Sequence, residues 1–336
     1  MQSLRVQFFN KNGEGRTPLD FRAKFVSIQF FLLRLVFARL VLMLFVMLAI
    51  FSGCSRLQIA SRNGAEPNSS STAIGSILSG VRKQIRGESP SNDRRWRPDL
   101  RVLVTAEFDS DRVRIKNIRN ARYRTEEDYD VRHYDLDFAL EEVQAVDFVI
   151  VPFSNLPLLA HTMLSFELQN GQHFGISVEG RLEQGENYSA TNGTSNEFEL
   201  IYLIGDERDL ILLRTETRKV DVYIYRGRAT PEQAQNLLVD MLARANKLAR
   251  EPEFYNTITN NCTTNLVDHV NKLRPGAIPL DWRVIFPGHS DRLLFNLGLL
   301  ETQNSFEATR LRAKVNNRVA IYKDSPDFSK LIRQVQ

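Results

Sequence analysis

A thiolate is the strongest nucleophile that a side chain offers near neutral pH, and this 336-residue sequence holds only two cysteines, Cys54 and Cys262. Cys262 sits in the run Asn260-Asn261-Cys262-Thr263-Thr264. It precedes a helical pattern with Leu266, Val267, Val270 and Leu273 inward and Pro275-Gly276 at its end. Asn and Thr accept hydrogen bonds from the unpaired amides of a first helical turn, so the run predicts a helix that starts near Cys262. At that position the helix dipole favours thiolate over thiol. The free first-turn amides, with Asn261 and Thr263 beside the sulfur, suit the oxyanion formed when a thiolate attacks an acyl carbon. A lone cysteine most often packs as a small hydrophobe. Polar neighbours on both sides predict an accessible thiol here instead.

A thiol nucleophile needs a base, and the sequence has five histidines. His161 opens a stretch that reads as a β-hairpin turning at Asn170-Gly171. A three-residue loop is expected, setting Leu164, Phe166 and Leu168 opposite Val178, Ile176 and Phe174 on one apolar face. The other face then carries His161, Ser177 and Glu179. Glu179 is expected diagonal to His161 and is the best placed group to orient the imidazole through its second nitrogen, with Ser177 one step further along. Taken alone, His161 reads more simply as a satisfied core or surface histidine. His173, at the turn end, lies roughly 20 Å away at strand rise, and His269 is about 10 Å along the helix from Cys262. His133 and His289 fall in polar, loop-like surroundings. With no HExxH or CxxC in the sequence, neither a metal site nor a cofactor is expected.

The elements that must position these groups read as α+β, strands first and helices later. Residues 101–108, 113–118 and 146–153 read as strands, and residues 200–204, 210–213 and 220–225 continue the sheet. Thr230 caps a helix that has Pro231 at its first position and Gln233 closing a capping box. That helix runs to about Arg250, with Leu237, Leu238, Met241, Leu242, Ala245 and Leu248 as its apolar stripe.

Cys54 belongs to a different context. Residues 40–51 are apolar without a break, Arg34 and Arg39 lie upstream, and Phe51-Ser52-Gly53-Cys54 resembles a lipobox, with Phe51 departing from the usual aliphatic residue. Cys54 is the expected lipidation site. The alternative is an uncleaved anchor over residues 28–51, with Arg34 snorkelling. Both put the remainder outside the cytoplasm. Ser55 favours the outer membrane over the inner. Residues 55–95 have linker composition, which leaves residues 96–336 as the folded domain. The net charge of +4 suits an anionic membrane surface, and no dense basic stripe points to nucleic acid.

The segments AHTMLSFEL, GISVEGRLEQGENYS, ELIYLIGDERDLILLRTETRKVDVYIYR and EFYNTITNNCTTNLVDHV resemble the family of the Lnb N-terminal periplasmic domain (DUF4105) over roughly residues 96–300. That family in turn resembles the circularly permuted papain-like proteins of the NlpC/P60 and lecithin:retinol acyltransferase group, in which the histidine strand precedes the cysteine helix. The resemblance implies Cys262 as nucleophile and His161 as base, an antiparallel sheet packed on helices, and transfer of an acyl chain from phospholipid to the amine of a lipoprotein. The chain is expected to lack the spanning region that the family's name sets against its periplasmic part. Transfer through a thioester on Cys262 predicts an apolar groove supplied by residues 277–287 and 293–300. The alternatives are hydrolysis of a peptidoglycan amide or a lipid ester, with water as acceptor, and a non-catalytic envelope scaffold.

Overall fold

Alternating strands at the edge and continuous apolar runs at the centre, such as residues 200–204 of a strand buried along nearly its whole length, draw most of the domain into one eight-stranded sheet. A computed structural model describes residues 89–188 and 196–334, all within the unit formed by residues 68–336. The strands are β1 (Thr105–Asp109), β2 (Arg112–Tyr123), β3 (Tyr129–Ala139), β4 (Val143–Phe153), β5 (Leu156–Leu168), β6 (His173–Arg181), β7 (Glu199–Asp206) and β8 (Tyr223–Arg226). Their order is β1-β2-β7-β6-β5-β4-β8, with β3 paired to β2. Neighbours run antiparallel except β2 and β7, which meet in parallel at Arg119 and Gly205. The helices are α1 (Glu207–Leu212), α2 (Pro231–Arg250), α3 (Cys262–Leu273), α4 (Trp282–Ile285), α5 (Ser290–Asn296), α6 (Phe306–Ala313), α7 (Asn316–Tyr322) and α8 (Phe328–Leu331). The fold is α+β, an antiparallel-dominated sheet packed against helices.

Helix α2 forms as its sequence dictates. Thr230 Oγ1 accepts from the Gln233 amide at 3.2 Å, and Gln233 Oε1 accepts from the Thr230 amide at 3.0 Å. All six residues of the expected stripe are buried. Helix α3 departs from its expected stripe: Leu266 is buried, but Val267 and Val270 are only half-buried and Leu273 is exposed. Their apolar face lines a cavity and packs against a second, smaller cluster of Ile278, Val284 and Leu293.

Residues 210–213, expected as a strand, are the end of α1 running into a π-turn over Leu213–Thr217. A short apolar run does not distinguish strand from helix by periodicity. One local feature and one from neighbouring strands decide it. The Asp206 side chain caps the helix by accepting from the Arg208 amide at 3.0 Å, and the sheet beneath is lined with glycine. A methyl group on Gly175 would lie 2.4 Å from Leu210 Cδ1, and one on Gly205 would lie 3.1 Å from it at Leu210 Cδ2. Leu210 therefore occupies the space that side chains at those two sites would fill.

The β5–β6 hairpin has the three-residue loop, Gln169 to Gly171, closed by the Leu168 amide on the Gln172 carbonyl at 2.9 Å. Its register is two residues from the expected one: Leu164 pairs with Ile176 and Phe166 with Phe174. The apolar face survives because a shift of two preserves strand parity. His133, expected in a loop, lies on β3 opposite Arg119. At the other end of the described chain, contacts begin before Trp96: Asn92 Nδ2 donates to the Leu248 carbonyl at 2.9 Å, and the Arg181 guanidinium stacks 4.0 Å over the Trp96 ring. The apolar run, the lipobox and Cys54 lie outside the described residues. No helix among the described residues is long and apolar enough to cross a membrane.

Helices cover both faces of the sheet. Tyr202 of β7 reaches α3 at Asn265 (3.0 Å), whereas Gly205 of β7 faces Leu210. Strand alternation sends these two residues of different parity to opposite sides. On the α1 side a buried pair locks β2 to α1, with Arg119 Nε and Nη2 donating to the two Asp209 oxygens at 2.9 and 2.8 Å. Asp209→Ala would leave that guanidinium buried without its partner, and chemical denaturation should show a loss of about 3–5 kcal/mol.

Candidate active site

The cysteine turn is built by its own polar residues. Asn261 Oδ1 accepts from the amides of Thr263 (2.8 Å) and Thr264 (2.9 Å), and the Asn261 amide donates to Thr264 Oγ1 at 2.9 Å. Cys262 thereby becomes the first residue of α3. This cap corrects the expected oxyanion role of Thr263, whose amide is spent on Asn261. The Cys262 amide is the first-turn donor that the cap does not use. Asn265 Nδ2 reinforces the turn by donating to the Asn261 carbonyl and to Asn260 Oδ1, each at 2.8 Å.

Cys262 is 5% exposed, against the expectation of an accessible thiol. Its surroundings are hydroxylated rather than wholly aliphatic. Thr263 Oγ1 lies 3.8 Å from the sulfur, and the phenols of Tyr188 and Tyr255 approach each other at 3.2 Å. Burial raises both phenol pKa values, and charge on Cys262 and on Glu179 raises them further.

The base side is a chain of four residues on β5, β6 and the π-turn. His161 Nε2 lies 2.6 Å from Ser177 Oγ, Ser177 donates to Glu179 Oε1 at 2.6 Å, and Arg214 Nη2 donates to the same oxygen at 3.1 Å. The direct His161–Glu179 separation is 3.7 Å. The expected direct carboxylate–imidazole pairing is thus corrected: Ser177 stands between them. The reason is the two-residue shift of register, which puts Ser177 opposite Met163 and carries Glu179 on to the level of His161. Ser177 has one proton and gives it to Glu179, so the imidazole must be the donor in the contact at Nε2. That assigns the neutral tautomer and leaves Nδ1 as the basic nitrogen.

Burial and the Arg214 charge push His161 down to about 3, with Glu179 opposing. Burial alone would raise Glu179, but Arg214 and then His161 outweigh it and hold the carboxyl at about 2. The resting site is a neutral imidazole beside an ionised carboxylate.

The two halves meet at one contact, Thr162 Oγ1 to Thr263 Oγ1 at 3.0 Å. These are the residues immediately after His161 and Cys262. No hydrogen bond joins Cys262 to His161 among the described residues. Alternation along β5 turns Thr162 towards α3 and His161 towards α1. Sulfur and imidazole thus belong to elements joined at this point through the Thr162–Thr263 contact, with Met163 and Ser177 the last paired residues of the hairpin beside it.

Of the expected residues, the structure gathers His161, Ser177 and Glu179 into one chain, and Asn261, Cys262 and Thr263 into one turn. Arg214, Tyr188 and Tyr255 escaped sequence reasoning. Tyr255 lies seven residues before Cys262, a proximity that could have flagged it, whereas Arg214 sat in a segment misread as a strand. Two of the other histidines are structural: His269 joins Asp240 (2.7 Å) to Tyr202 (2.7 Å), and His173 Nδ1 donates to the Gly171 carbonyl at 3.0 Å. Among the described residues no three His, Cys, Asp or Glu side chains converge as a metal-binding group.

The sequence profile of the Lnb N-terminal periplasmic domain family matches residues 129–288, from the start of β3 past the whole of α3. The chain carries a domain of this family. The resemblance read from the sequence is therefore borne out, and a periplasmic domain family indicates that this Lnb-type domain faces the periplasm. No curated protein and no solved structure matches the chain.

Folded His161 takes a proton only near pH 3, whereas an unfolded ring does so near 6.5, so stability present above pH 6.5 falls as pH drops towards 3. Glu179, held at about 2 against an ordinary 4.5, acts in the same direction below pH 4.5. Thermal denaturation across this range should show losses of on the order of 1 kcal/mol per pH unit. His161→Gln should flatten the dependence between pH 6.5 and 4.5. An unchanged slope in that variant would contradict the assigned burial of the ring.

Proposed function

We propose that this domain is a cell-envelope cysteine acyltransferase that carries an acyl chain as a thioester on Cys262. The observation that supports acyl transfer over other thiol chemistry is the cavity beside the cysteine turn. It has a volume of about 180 Å³ and begins at Thr263, the residue after the nucleophile. Its walls are aliphatic: Leu164 from β5, Leu266 and Val270 from α3, Ile278, Leu293 and Leu299. Residues 277–287 and 293–300, expected to supply such a groove, contribute several of these side chains. A polysaccharide-linked peptide would find few hydrogen-bond partners there, whereas a hydrocarbon chain would leave water for a matching surface.

In the first half-reaction His161 Nδ1 takes the Cys262 proton as sulfur attacks the carbonyl carbon of a phospholipid ester. The C–S bond forms, the ester C–O bond breaks, and the imidazolium returns its proton to the departing alkoxide. In the second, an amine attacks the thioester, the C–N bond forms, the C–S bond breaks, and the amine proton passes through His161 back to the thiolate. A ring with so low a pKa holds its proton only while the developing negative charge on sulfur is beside it. Proton transfer therefore accompanies attack rather than preceding it. Ser177 and the ionised Glu179 hold the Nε2–H tautomer throughout, and Arg214 keeps Glu179 ionised. The acceptor amine is assigned to a lipoprotein amino terminus, and membrane attachment to the segment around Cys54.

Incubation with phospholipid carrying a labelled acyl chain should leave hydroxylamine-sensitive label on the protein, absent in Cys262→Ser. Label that passes to a diacylated lipopeptide amine supports transfer. Release as free fatty acid would instead make the protein a hydrolase, and no label with any lipid would remove the enzymatic reading. Ser177→Ala and Glu179→Gln should each slow acylation about 10²-fold or more, and Glu179→Gln, which leaves the buried Arg214 without its carboxylate, should also lower thermal stability at neutral pH; undiminished rates would exclude the relay.

A further inference from the structure

The cavity opens beside a surface that is more apolar than a water-facing surface of a small domain ordinarily is. Leu280 is 97% exposed and Trp282 is 48% exposed, two residues apart at the start of α4. The Trp282 ring meets His289 edge-on at 5.9 Å. Next to His289, Gly288 lies so close to the start of β5 that a methyl group there would sit 2.0 Å from the Pro157 carbonyl oxygen. This approach brings Leu156 and Leu158, each more than half exposed, beside the α4 turn. Towards the cavity, Ile278 is tied back to α3 by the Asn271 side chain at 2.9 and 2.8 Å, and Leu273 stands exposed at the end of that helix. The cavity is lined by Leu273, Ile278 and Val284, the last two flanking Leu280 and Trp282 in the chain.

Its charge is of one kind where it counts. Arg228 and Arg274 line the cavity and both are exposed. Neither has a carboxylate within ion-pair distance among the described residues. The neighbouring Arg283, by contrast, is held by Asp281 at 2.7 Å. An aromatic ring, exposed leucines and unpaired guanidinium groups around an aliphatic cavity form the pattern by which a protein sits in a lipid–water interface.

We infer that the face formed by Leu156, Leu158, Leu280 and Trp282 docks on an anionic phospholipid bilayer, with Arg228 and Arg274 against headgroup phosphates and one acyl chain entering the cavity. This deepens the acyl-transfer reading by naming the surface from which the chain comes, and it can be tested without catalysis. An apolar collar of this size with two free cations complements a layer of hydrocarbon capped by phosphate. A second copy of the chain would bring the same cations against themselves.

The two tryptophans supply the probe, because Trp96 is 3% exposed and Trp282 is on the docking face. The full chain is reconstituted in vesicles of phosphatidylcholine and phosphatidylglycerol in equal parts, with bromine on the acyl chains as a contact quencher. Tryptophan emission should be quenched in the parent protein, and the quenchable part should vanish in Trp282→Phe. Leu158→Asp with Leu280→Asp should abolish the quenching. Removing Arg228 and Arg274 should weaken docking by roughly 5-fold per guanidinium, as should pure phosphatidylcholine. Absence of quenching, or equal quenching in Trp282→Phe, overturns the inference, as does concentration-dependent dimerisation that shields Trp282 from bromolipid. Cys262→Ser should dock like the parent. Docking without thioester formation would therefore retain this inference and remove the acyl-transfer reading, and acylation in detergent without quenching would do the reverse.

Discussion

The register of the β5–β6 hairpin is the constraint on which the site depends. Strand side chains alternate with a period of two, so one choice of pairing assigns every residue of the hairpin to a face. With Leu164 against Ile176 and Phe166 against Phe174, the apolar set lies under α2 and α3, and His161, Ser177 and Glu179 share the opposite face. A slip of one residue would bury the relay in the apolar layer. A slip of two would keep the faces and separate Ser177 from His161. Gly171, with φ of +82°, closes the loop in a left-handed conformation that other residues adopt at a cost, and so helps to hold the observed pairing.

That face is unusual for the amount of charge it buries. Beside the relay stand Arg119 with Asp209, and Arg333 reaching Asp147 at 2.7 Å and Glu207. Ser165 donates to Glu207 at 2.6 Å. Each buried carboxylate has a guanidinium beside it, which is the condition under which such groups are tolerated in a low-dielectric interior. Arg214 belongs to the same set. It makes Glu179 an acceptor at any physiological pH and also disfavours a proton on His161. The arrangement thus fixes the direction of the imidazole and withholds the charge until sulfur supplies a counter-ion.

The opposite face is governed by shape. The C-terminal half of helix α3 turns Val267 and Val270 towards the small cluster of Ile278, Val284 and Leu293, with the cavity between them. The Thr162–Thr263 contact anchors the other end of that helix to β5. The polar relay and the aliphatic cavity therefore lie on different sides of one strand.

Local chemistry was legible in the residues themselves. The Asn261 cap, the start of α3 at Cys262, the Thr230 box and the stripe of α2 are short-range hydrogen bonding and periodicity, and the structure reproduces them. The apolar face of the hairpin was legible too, because parity survives an error of two residues; the identity of the imidazole's direct partner was not, because it depends on that very shift. Residues 210–213 became helix through glycines on other strands, and Cys262 is buried as part of the main hydrophobic cluster, to which distant segments contribute. By itself the sequence determined which groups could do chemistry and how their own turns are capped. Only the tertiary structure decided which of them touch, because that is set by register, burial and charges contributed from distant segments.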